Sequence, residues 1–258
     1  MRQKFYKYQG TGNDFVMIDN RQQTFDKNNT KLVAELCDRR FGIGADGLIL
    51  LENHTDYDFK MVYYNSDGNE STMCGNGGRC LVAFAKQLGV IRDKAIFEAI
   101  DGVHQATIAN GIVKLHMQDV SGISKNEAYT FLNTGSPHHV QFEEAIDNFE
   151  IKSKGAEIRY GDLYKNQGGS NVNFVKKINN ETFRLRTYER GVEDETLSCG
   201  TGATATAIAM HYIGETEKNQ VTIKVEGGEL EVCFDASDKK YTNVWLIGPA
   251  KYVFEGVI

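Results

Sequence analysis

Two segments of the chain share the pattern E-[ST]-x-x-C-G-x-G, at residues 70–77 and 195–202. Each contains one cysteine, Cys74 or Cys199, and leads into a stretch of small and apolar residues. A cysteine at a helix N-terminus is typical of a reactive thiol, because the helix dipole stabilises the thiolate. Two such thiols can serve as base and acid on opposite faces of one carbon atom. The pattern therefore predicts inversion of a stereocentre.

The repeat extends well beyond the cysteines. Further segments recur in the same order along the chain, at offsets of 123 to 126 residues. They pair residues 11–16 with 134–140, 47–51 with 171–175, 59–65 with 183–189, and 96–102 with 222–228. We therefore predict two homologous domains. Residues 1–120 form the first, joined by the C-terminal segment 250–258, and residues 121–249 form the second.

Strands and helices are expected to alternate within each half. Residues 31–40 have the apolar spacing of a helix, whereas residues 48–51 and 59–64 have the character of strands. The stretches 78–88 and 203–213 are small or apolar on nearly every side, which indicates buried helices. The predicted fold class is α/β (α+β). Two pseudo-symmetric domains each form a curved β-sheet or barrel around a central helix with a cysteine at its N-terminus.

Composition and charge narrow the function classes. The 258 residues carry a net charge of −6, which argues against nucleic acid or an anionic membrane as a partner. We find neither a membrane-spanning apolar run nor a signal peptide. The five cysteines are odd in number and widely spread, as expected for reduced thiols. We expect a cytoplasmic enzyme that acts on a small molecule; its oligomeric state is open, with a homodimer as the candidate.

Cofactor and metal motifs do not fit the chain. Residues 42–47 read G-x-G-x-x-G, but they follow a predicted helix and precede a strand, the reverse of the dinucleotide-binding order. No G-K-[ST] sequence exists for a phosphate-binding loop. Adjacent His138 and His139 would point to opposite faces of a strand, so they do not form a metal pair. We expect no cofactor and no metal.

Several segments resemble the diaminopimelate epimerase family, from near residue 8 to the end of the chain. They are GTGNDFV at 10–16, RRFGIGADGLIL at 39–50, YYNSDGNESTMCGNGGRC at 63–80, GSPHHV at 135–140, SNVNFV at 170–175 and YERGVEDETLSCGTGA at 188–203. The resemblance implies that LL-diaminopimelate is converted to the meso form without pyridoxal phosphate or metal. This reaction belongs to lysine and cell-wall precursor biosynthesis.

The resemblance also assigns residues to roles. It implies Cys74 and Cys199 as the acid/base pair. The carboxylate of the reacting end would be held by Gly75, Asn76, Gly200 and Thr201. The remaining substrate contacts would be Asn13, Asn65, Asn171, Glu189 and Arg190. His138 and Glu189 match polar residues that tune the cysteines.

Two positions depart from the family pattern, and two other functions stay open. Ser136 stands where many members have asparagine, and Gly47 stands where some have glutamine, so that any contact from Gly47 comes from the backbone.

A proline or hydroxyproline racemase would share the two-thiol plan but would not need Glu189 and Arg190. A redox or binding protein with a reversible cysteine pair would need no substrate stereocentre.

Overall fold

The computed structural model describes residues 2–258, which divide into two compact units. The first takes the chain up to Leu115 and adds Gly248–Ile258, and the second is His116–Ile247. The sequence predicted these divisions after residues 120 and 249. Met1, which the sequence assigned to the first domain, lies outside the described residues. Each unit has its own series of hydrogen-bonded strands and its own helices.

The first unit is built on a mixed sheet with the strand order β17–β1–β2–β3–β4–β5–β6–β7. Neighbours are antiparallel except for β2–β3 and β4–β5, which are parallel. The elements are β1 (Lys4–Gly10), β2 (Asn13–Asp19), α1 (Thr30–Cys37), β3 (Gly47–Glu52), β4 (Phe59–Asn65), α2 (Gly75–Gln87), β5 (Lys94–Ala99), β6 (Gly102–Ala109), β7 (Ile112–His116) and β17 (Lys251–Val257).

The second unit repeats this plan with the order β8–β9–β10–β11–β12–β14–β15–β16. Strand β13 forms a short hairpin with the end of β12, on the edge whose start pairs with β14. The parallel neighbours are β10–β11 and β12–β14. The elements are β8 (Ser124–Lys125), β9 (Thr130–Asn133), β10 (Pro137–Phe142), α3 (Ile151–Tyr160), β11 (Asn171–Lys177), β12 (Thr182–Glu189), β13 (Asp194–Thr196), α4 (Gly200–Tyr212), β14 (Gln220–Val225), β15 (Gly228–Ser237) and β16 (Lys240–Pro249).

The two units correspond element by element. From β1 to β7, neighbouring strands are antiparallel, parallel, antiparallel, parallel, antiparallel and antiparallel, and β9 to β16 follow the same series once β13 is set aside. Helix α3 follows β10 as α1 follows β2, and α4 stands in the place of α2. The predicted fold class of two pseudo-symmetric α/β halves is therefore confirmed.

A buried helix forms the centre of each unit. Ten residues of α2 and ten of α4 are buried, out of 13 in each helix. Helix α2 contacts β1, β2, β3 and β6, and α4 contacts β9, β10, β11, β12, β14 and β15. Because strands from across each sheet contact the same helix, the sheet curves around it. The helices begin at Gly75 and Gly200, three residues before the predicted stretches, since packing compensates for the poor helix propensity of glycine.

The other two helices pack on the sheets from outside. Helix α1 contacts β3 through Val33 and Leu36, and α3 contacts β11, β12 and β13. Gly155 in α3 lies against the Tyr188 side chain of β12. None of the helices within residues 2–258 has the length and apolarity needed to cross a membrane.

Substituting Gly155 by alanine should destabilise the second unit. A β-carbon at Gly155 would lie 2.3 Å from Cβ of Tyr188, which is 2% exposed and cannot move aside freely. The overpacking penalty of about 1 to 3 kcal/mol exceeds the gain of about 1 kcal/mol in helix propensity. We expect the midpoint of urea unfolding to fall.

The control is Lys154→Ala, on the solvent-exposed side of the same helix. Its stability should stay within about 0.5 kcal/mol of the parent protein. Equal unfolding midpoints for Gly155→Ala and Lys154→Ala would contradict the close packing of α3 on β12.

Candidate active site

Cys74 is the N-cap residue of α2 in the first unit. Its backbone is extended (φ −91°, ψ 127°), and its carbonyl accepts the first helical hydrogen bond from Gly78 N at 2.7 Å. The thiol is half-buried. The first N–H groups of the helix have no intrahelical acceptor, and they make this end attractive to a negative charge. A thiolate or a bound carboxylate is therefore stabilised here.

Cys199 holds the equivalent N-cap position of α4 in the second unit. Its backbone is also extended (φ −119°, ψ 111°), and its carbonyl accepts from Ala203 N at 2.9 Å. The sulfur lies 3.5 Å from Thr201 Oγ1, and the carbonyl of Thr201 accepts a hydrogen bond from Thr134 Oγ1 at 2.9 Å. Cys199 is 6% exposed, so it is more deeply buried than Cys74.

Two other cysteines of the first unit differ in chemistry. Burial raises the pKa of the Cys80 thiol to about 12, and burial likewise raises the pKa of Cys37 to about 12. Both are therefore neutral thiols at physiological pH and belong to the apolar core. Cys74 and Cys80 both carry a thiol, but Cys74 caps the N-terminus of α2 whereas Cys80 lies buried within the helix.

Asn13 and Asn76, two of the predicted substrate contacts, lie beside Cys74 in the first unit. The Cys74 thiol donates to Asn13 Oδ1 at 3.6 Å, and Asn76 Nδ2 donates to the same oxygen at 3.2 Å. Asn13 Nδ2 donates to Asp46 Oδ2 at 2.5 Å. Because a carboxylate can only accept, Asp46 determines which end of the Asn13 amide faces the cysteine.

A charged network anchors Asp46. Arg39 Nη2 donates to Asp46 Oδ1 and to Asp14 Oδ1, both at 2.7 Å, and Lys7 forms an ion pair with Asp14 at 2.8 Å. Burial would raise the pKa of Asp14, but the bonds from Arg39 and Lys7 outweigh it and hold the pKa at about 2. The network keeps Asp14 ionised and holds Asp46 in place, and Asp46 in turn orients Asn13.

Asn65 and Gly47 lie opposite each other, at the end of β4 and the start of β3. The Asn65 side chain is exposed, and within residues 2–258 it makes no hydrogen bond to the group around Cys74. A β-carbon at Gly47 would lie 2.5 Å from the carbonyl oxygen of Tyr64 and 2.6 Å from the Tyr63 ring. No side chain fits at Gly47, so this strand cannot carry a glutamine there.

Asn171 organises the predicted substrate residues of the second unit. Its Oδ1 accepts from the backbone N of Arg190 at 2.9 Å, while its Nδ2 donates to Ser136 Oγ at 2.8 Å and to Pro137 O at 3.0 Å. Both N–H groups of the amide are therefore engaged within the protein. Since Ser136 accepts from Asn171, its own hydroxyl proton can point towards a ligand.

Glu189 and Arg190 follow at the end of β12, where the chain turns into β13. Glu189 is half-buried and accepts from Thr196 Oγ1 at 2.9 Å across the hairpin, and Arg190 is exposed. The hairpin thus carries a carboxylate and a guanidinium at consecutive positions. These are complementary groups for an ammonium and a carboxylate.

His138 is completely buried and neutral. Asn173 Nδ2 donates to the carbonyl of His139 at 2.9 Å and to His138 Nδ1 at 3.1 Å, so the imidazole proton is on Nε2. Burial lowers the pKa of His138 to about 3, and the charge of Arg190 contributes in the same direction. His138 can therefore tune a neighbouring group only as a neutral ring.

Asp46 and Asn173 are site residues that the motifs did not reveal. Asn173 Oδ1 would lie 2.6 Å from a β-carbon at Gly202, and Cys199 Sγ would lie 3.3 Å from it. The alternation of Asn171 and Asn173 on one face of β11 is a signal that could have found Asn173. Asp46 carries no such signal, because only the fold brings it to Asn13.

Known proteins resemble this chain over nearly its whole length. The sequence model of the family described as diaminopimelate epimerase matches residues 5–121 and 130–253. The chain belongs to the diaminopimelate epimerase family. The resemblance noted in the sequence is thereby confirmed, and so is the enzyme class, an epimerase among the isomerases.

Two members of this family are similar to the chain over nearly the whole length of both proteins. Diaminopimelate epimerase of Flavobacterium psychrophilum is 64% identical over 256 residues, covering 99% of this chain and 100% of that protein. The Aquifex aeolicus diaminopimelate epimerase is 38% identical over 273 residues, covering 98% and 96%.

Among solved structures, a Bacillus anthracis phenazine biosynthesis protein of the PhzF family matches with a TM-score of 0.80 and 11% identity, over 100% of this chain and 99% of that one. A hydroxyproline epimerase from Agrobacterium vitis matches with a TM-score of 0.70 and 13% identity, over 100% and 92%. At these identities the two structures indicate a shared fold alone.

Acid should destabilise the protein partly through His138. The folded pKa of about 3 lies below the unfolded value of 6.5, so only the unfolded chain binds this proton between those two pH values. The contribution of His138 to the free energy of unfolding is fully present above the unfolded pKa of 6.5. It falls as the pH drops below that value, by up to about 1.4 kcal/mol per pH unit. In His138→Gln, the slope of unfolding free energy against pH should be smaller between pH 4 and 6.

The comparison is made by urea unfolding of both proteins over one set of buffers. Above pH 7.5 neither state of the parent protein binds the proton at His138, so the slopes of the two proteins should coincide there. Parallel slopes across the acidic range would show that His138 is not buried as a neutral ring.

Proposed function

We propose that this chain interconverts LL- and meso-diaminopimelate, with Cys74 and Cys199 as its acid/base pair and without a cofactor. One observation carries the proposal. Each of two equivalent buried helices begins directly after a cysteine, within a chain of the diaminopimelate epimerase family. The product serves lysine and cell-wall precursor biosynthesis.

Inversion needs a base on one face of the α-carbon and an acid on the other. One cysteine, as thiolate, takes the α-proton, and the electron pair of the C–H bond passes to the α-carbon and its carboxylate. The other cysteine, as thiol, gives its proton to the opposite face of the carbon. One turnover leaves the thiolate and the thiol exchanged, so the same pair catalyses both directions.

Backbone N–H groups at the helix starts stabilise the charge that develops on the carboxylate. Gly75 and Asn76 supply them in the first unit, and Gly200 and Thr201 supply them in the second. Charge builds on the carboxylate as the carbon becomes planar, and preorganised donors lower the free energy of that state more than that of the substrate. Asn13, oriented by Asp46, adds a hydrogen-bond acceptor beside Cys74 for the α-ammonium.

The distal end of the substrate is recognised mainly by residues of the second unit. Arg190 binds the distal carboxylate, and Glu189 binds the distal ammonium. Asn171 acts mainly by holding the backbone of Arg190 and the hydroxyl of Ser136, since both of its amide N–H groups are already engaged. Ser136 thus takes the place of the family's asparagine as a donor, and Asn65 adds an exposed amide.

A deuterium experiment tests the acid/base pair. Turnover of LL-diaminopimelate in heavy water should place deuterium on the α-carbon of the inverted centre, because the incoming proton comes from a solvent-exchanged thiol. Cys74→Ala and Cys199→Ala should each lose at least about a hundredfold in epimerisation rate. Product stereochemistry and mass spectrometry provide the measurement.

The matched control is Cys80→Ala, a change to a neutral core thiol on the same helix as Cys74. It should keep the parent rate. Epimerisation that survives in the Cys74→Ala, Cys199→Ala double variant would refute the proposed pair. Loss of function on alkylation, without exchange into any substrate, would instead favour a redox or binding protein.

A second experiment separates diaminopimelate from proline. The fold match to a hydroxyproline epimerase makes L-proline and trans-4-hydroxy-L-proline the relevant competitors. Neither competitor has a distal amino-acid group, whereas LL-diaminopimelate has one that Glu189 and Arg190 would bind. Glu189→Gln and Arg190→Met should therefore each raise KM for LL-diaminopimelate about tenfold or more. Turnover of L-proline at a comparable kcat/KM, unchanged in these variants, would support the racemase alternative.

A further inference from the structure

Arg79 is the largest completely buried side chain among residues 2–258. It lies in the second turn of α2, five residues after Cys74. Its guanidinium donates to Gly75 O at 3.3 Å, to Thr11 Oγ1 at 3.3 Å and to Asn76 Oδ1 at 3.0 Å. All three acceptors are neutral oxygens.

A buried arginine is usually paired with a carboxylate, because an isolated buried charge is costly. Within residues 2–258, Arg79 forms no ion pair, and its Nε has no hydrogen-bond partner. Burial lowers the pKa of Arg79, and the sulfurs of Cys80 and Cys74 oppose that change. A guanidinium stays protonated in proteins, so the helix encloses a positive charge that a nearby anion would stabilise.

The second unit lacks this charge. The offset that relates Cys74 to Cys199 places Thr204 at the position of Arg79. Thr204 Oγ1 donates to Gly200 O at 3.0 Å, just as Arg79 donates to Gly75 O. The two helices therefore repeat the same local hydrogen bond, but only α2 carries a cation.

We propose that Arg79 is a positioning residue that makes Cys74 the thiolate and leaves Cys199 the thiol in the ligand-free enzyme. This inference rests on the proposed function, because it names which member of the acid/base pair starts as the base. Arg79 touches no reacting atom in this account; its charge acts on the sulfur from within the helix.

Other groups near Cys74 act against Arg79 but are weaker. The bond from the Cys74 thiol to Asn13 Oδ1 favours the protonated sulfur, yet an S–H group is a poor donor and the 3.6 Å contact is long. Asp46, behind Asn13, is paired with Arg39. Asp101 accepts a hydrogen bond from the backbone of Met73 and lies 3.2 Å from His104.

Cys80 shows why the cation alone does not make a thiolate. Arg79 lowers the pKa of Cys80 as well, but burial dominates and the pKa stands at about 12. Cys74 is half-buried and caps the helix, so it combines the cation with the helix dipole and partial hydration.

Alkylation of the full-length, ligand-free protein by iodoacetamide tests the inference. Rates are measured from pH 5 to 10, and mass spectrometry of peptides assigns modification to each cysteine. The pH midpoint for Cys74 should lie below that for Cys199. Arg79→Met should raise the Cys74 midpoint by about one pH unit or more and leave that of Cys199 unchanged.

Lys86→Met is the matched control, since it removes an exposed cation from the last turn of the same helix and should keep the low Cys74 midpoint. A parent protein in which Cys199 has the lower midpoint would overturn the inference without any variant. So would an Arg79→Met protein that folds with an unchanged Cys74 midpoint. If Arg79→Met does not fold, the parent midpoints still decide, together with Arg79→Gln, which removes the charge but keeps amide donors for the same oxygens.

The test is independent of the epimerase reaction, because no substrate is present. If the midpoints are as expected but no deuterium enters diaminopimelate, only the proposed function is refuted. If deuterium enters but Cys199 has the lower midpoint, only the role of Arg79 is refuted. With both intact, Arg79→Met should move the acidic limb of kcat/KM to higher pH equally in both directions, because it raises the first pKa of the coupled cysteine pair. The ratio of the two kcat/KM values stays equal to the equilibrium constant at every pH.

Discussion

Each unit of this protein depends on one helix buried inside a curved sheet. Helices α2 and α4 have ten of 13 residues buried, and strands from across each sheet pack on them. A helix buried on all sides can satisfy its backbone internally except at its ends. The N-terminal end is therefore where the fold presents unpaired N–H groups, and in both units a cysteine occupies that position. The reactive site is thus a consequence of how the core is built.

The surroundings of the two cysteines differ although their backbone positions are the same. Cys74 is half-buried beside two amides whose orientation is set by charged groups, Asp46 at one end and Arg79 at the other. Cys199 is buried beside a threonine hydroxyl, with a neutral threonine in place of the arginine. In the proposed reaction, the two opposite faces of one carbon account for the shared geometry. The single distal end of the proposed substrate accounts for the asymmetry.

Polar groups in the core are held by short chains of hydrogen bonds with a defined direction. A carboxylate only accepts and a guanidinium only donates, so each fixes the orientation of the amide that it contacts. In the second unit, Asn171 and Asn173 play the corresponding part through Ser136, His138 and the backbone of Arg190. Such chains make the site rigid before any ligand binds, which reduces the free energy spent on ordering it.

The amino-acid sequence determined the duplication, the fold class, both cysteines and the family, because a repeated motif and a 125-residue offset are visible without coordinates. It also indicated the buried helices with a cysteine at each N-terminus, and the glycines after each cysteine belong to the helix because packing outweighs their poor propensity. Only the tertiary structure showed the contacts of Asp46, Arg79 and Asn173. These contacts join distant parts of the chain, and burial leaves Arg79 without a carboxylate and His138 without a positive charge. Spacing along a sequence carries no record of either.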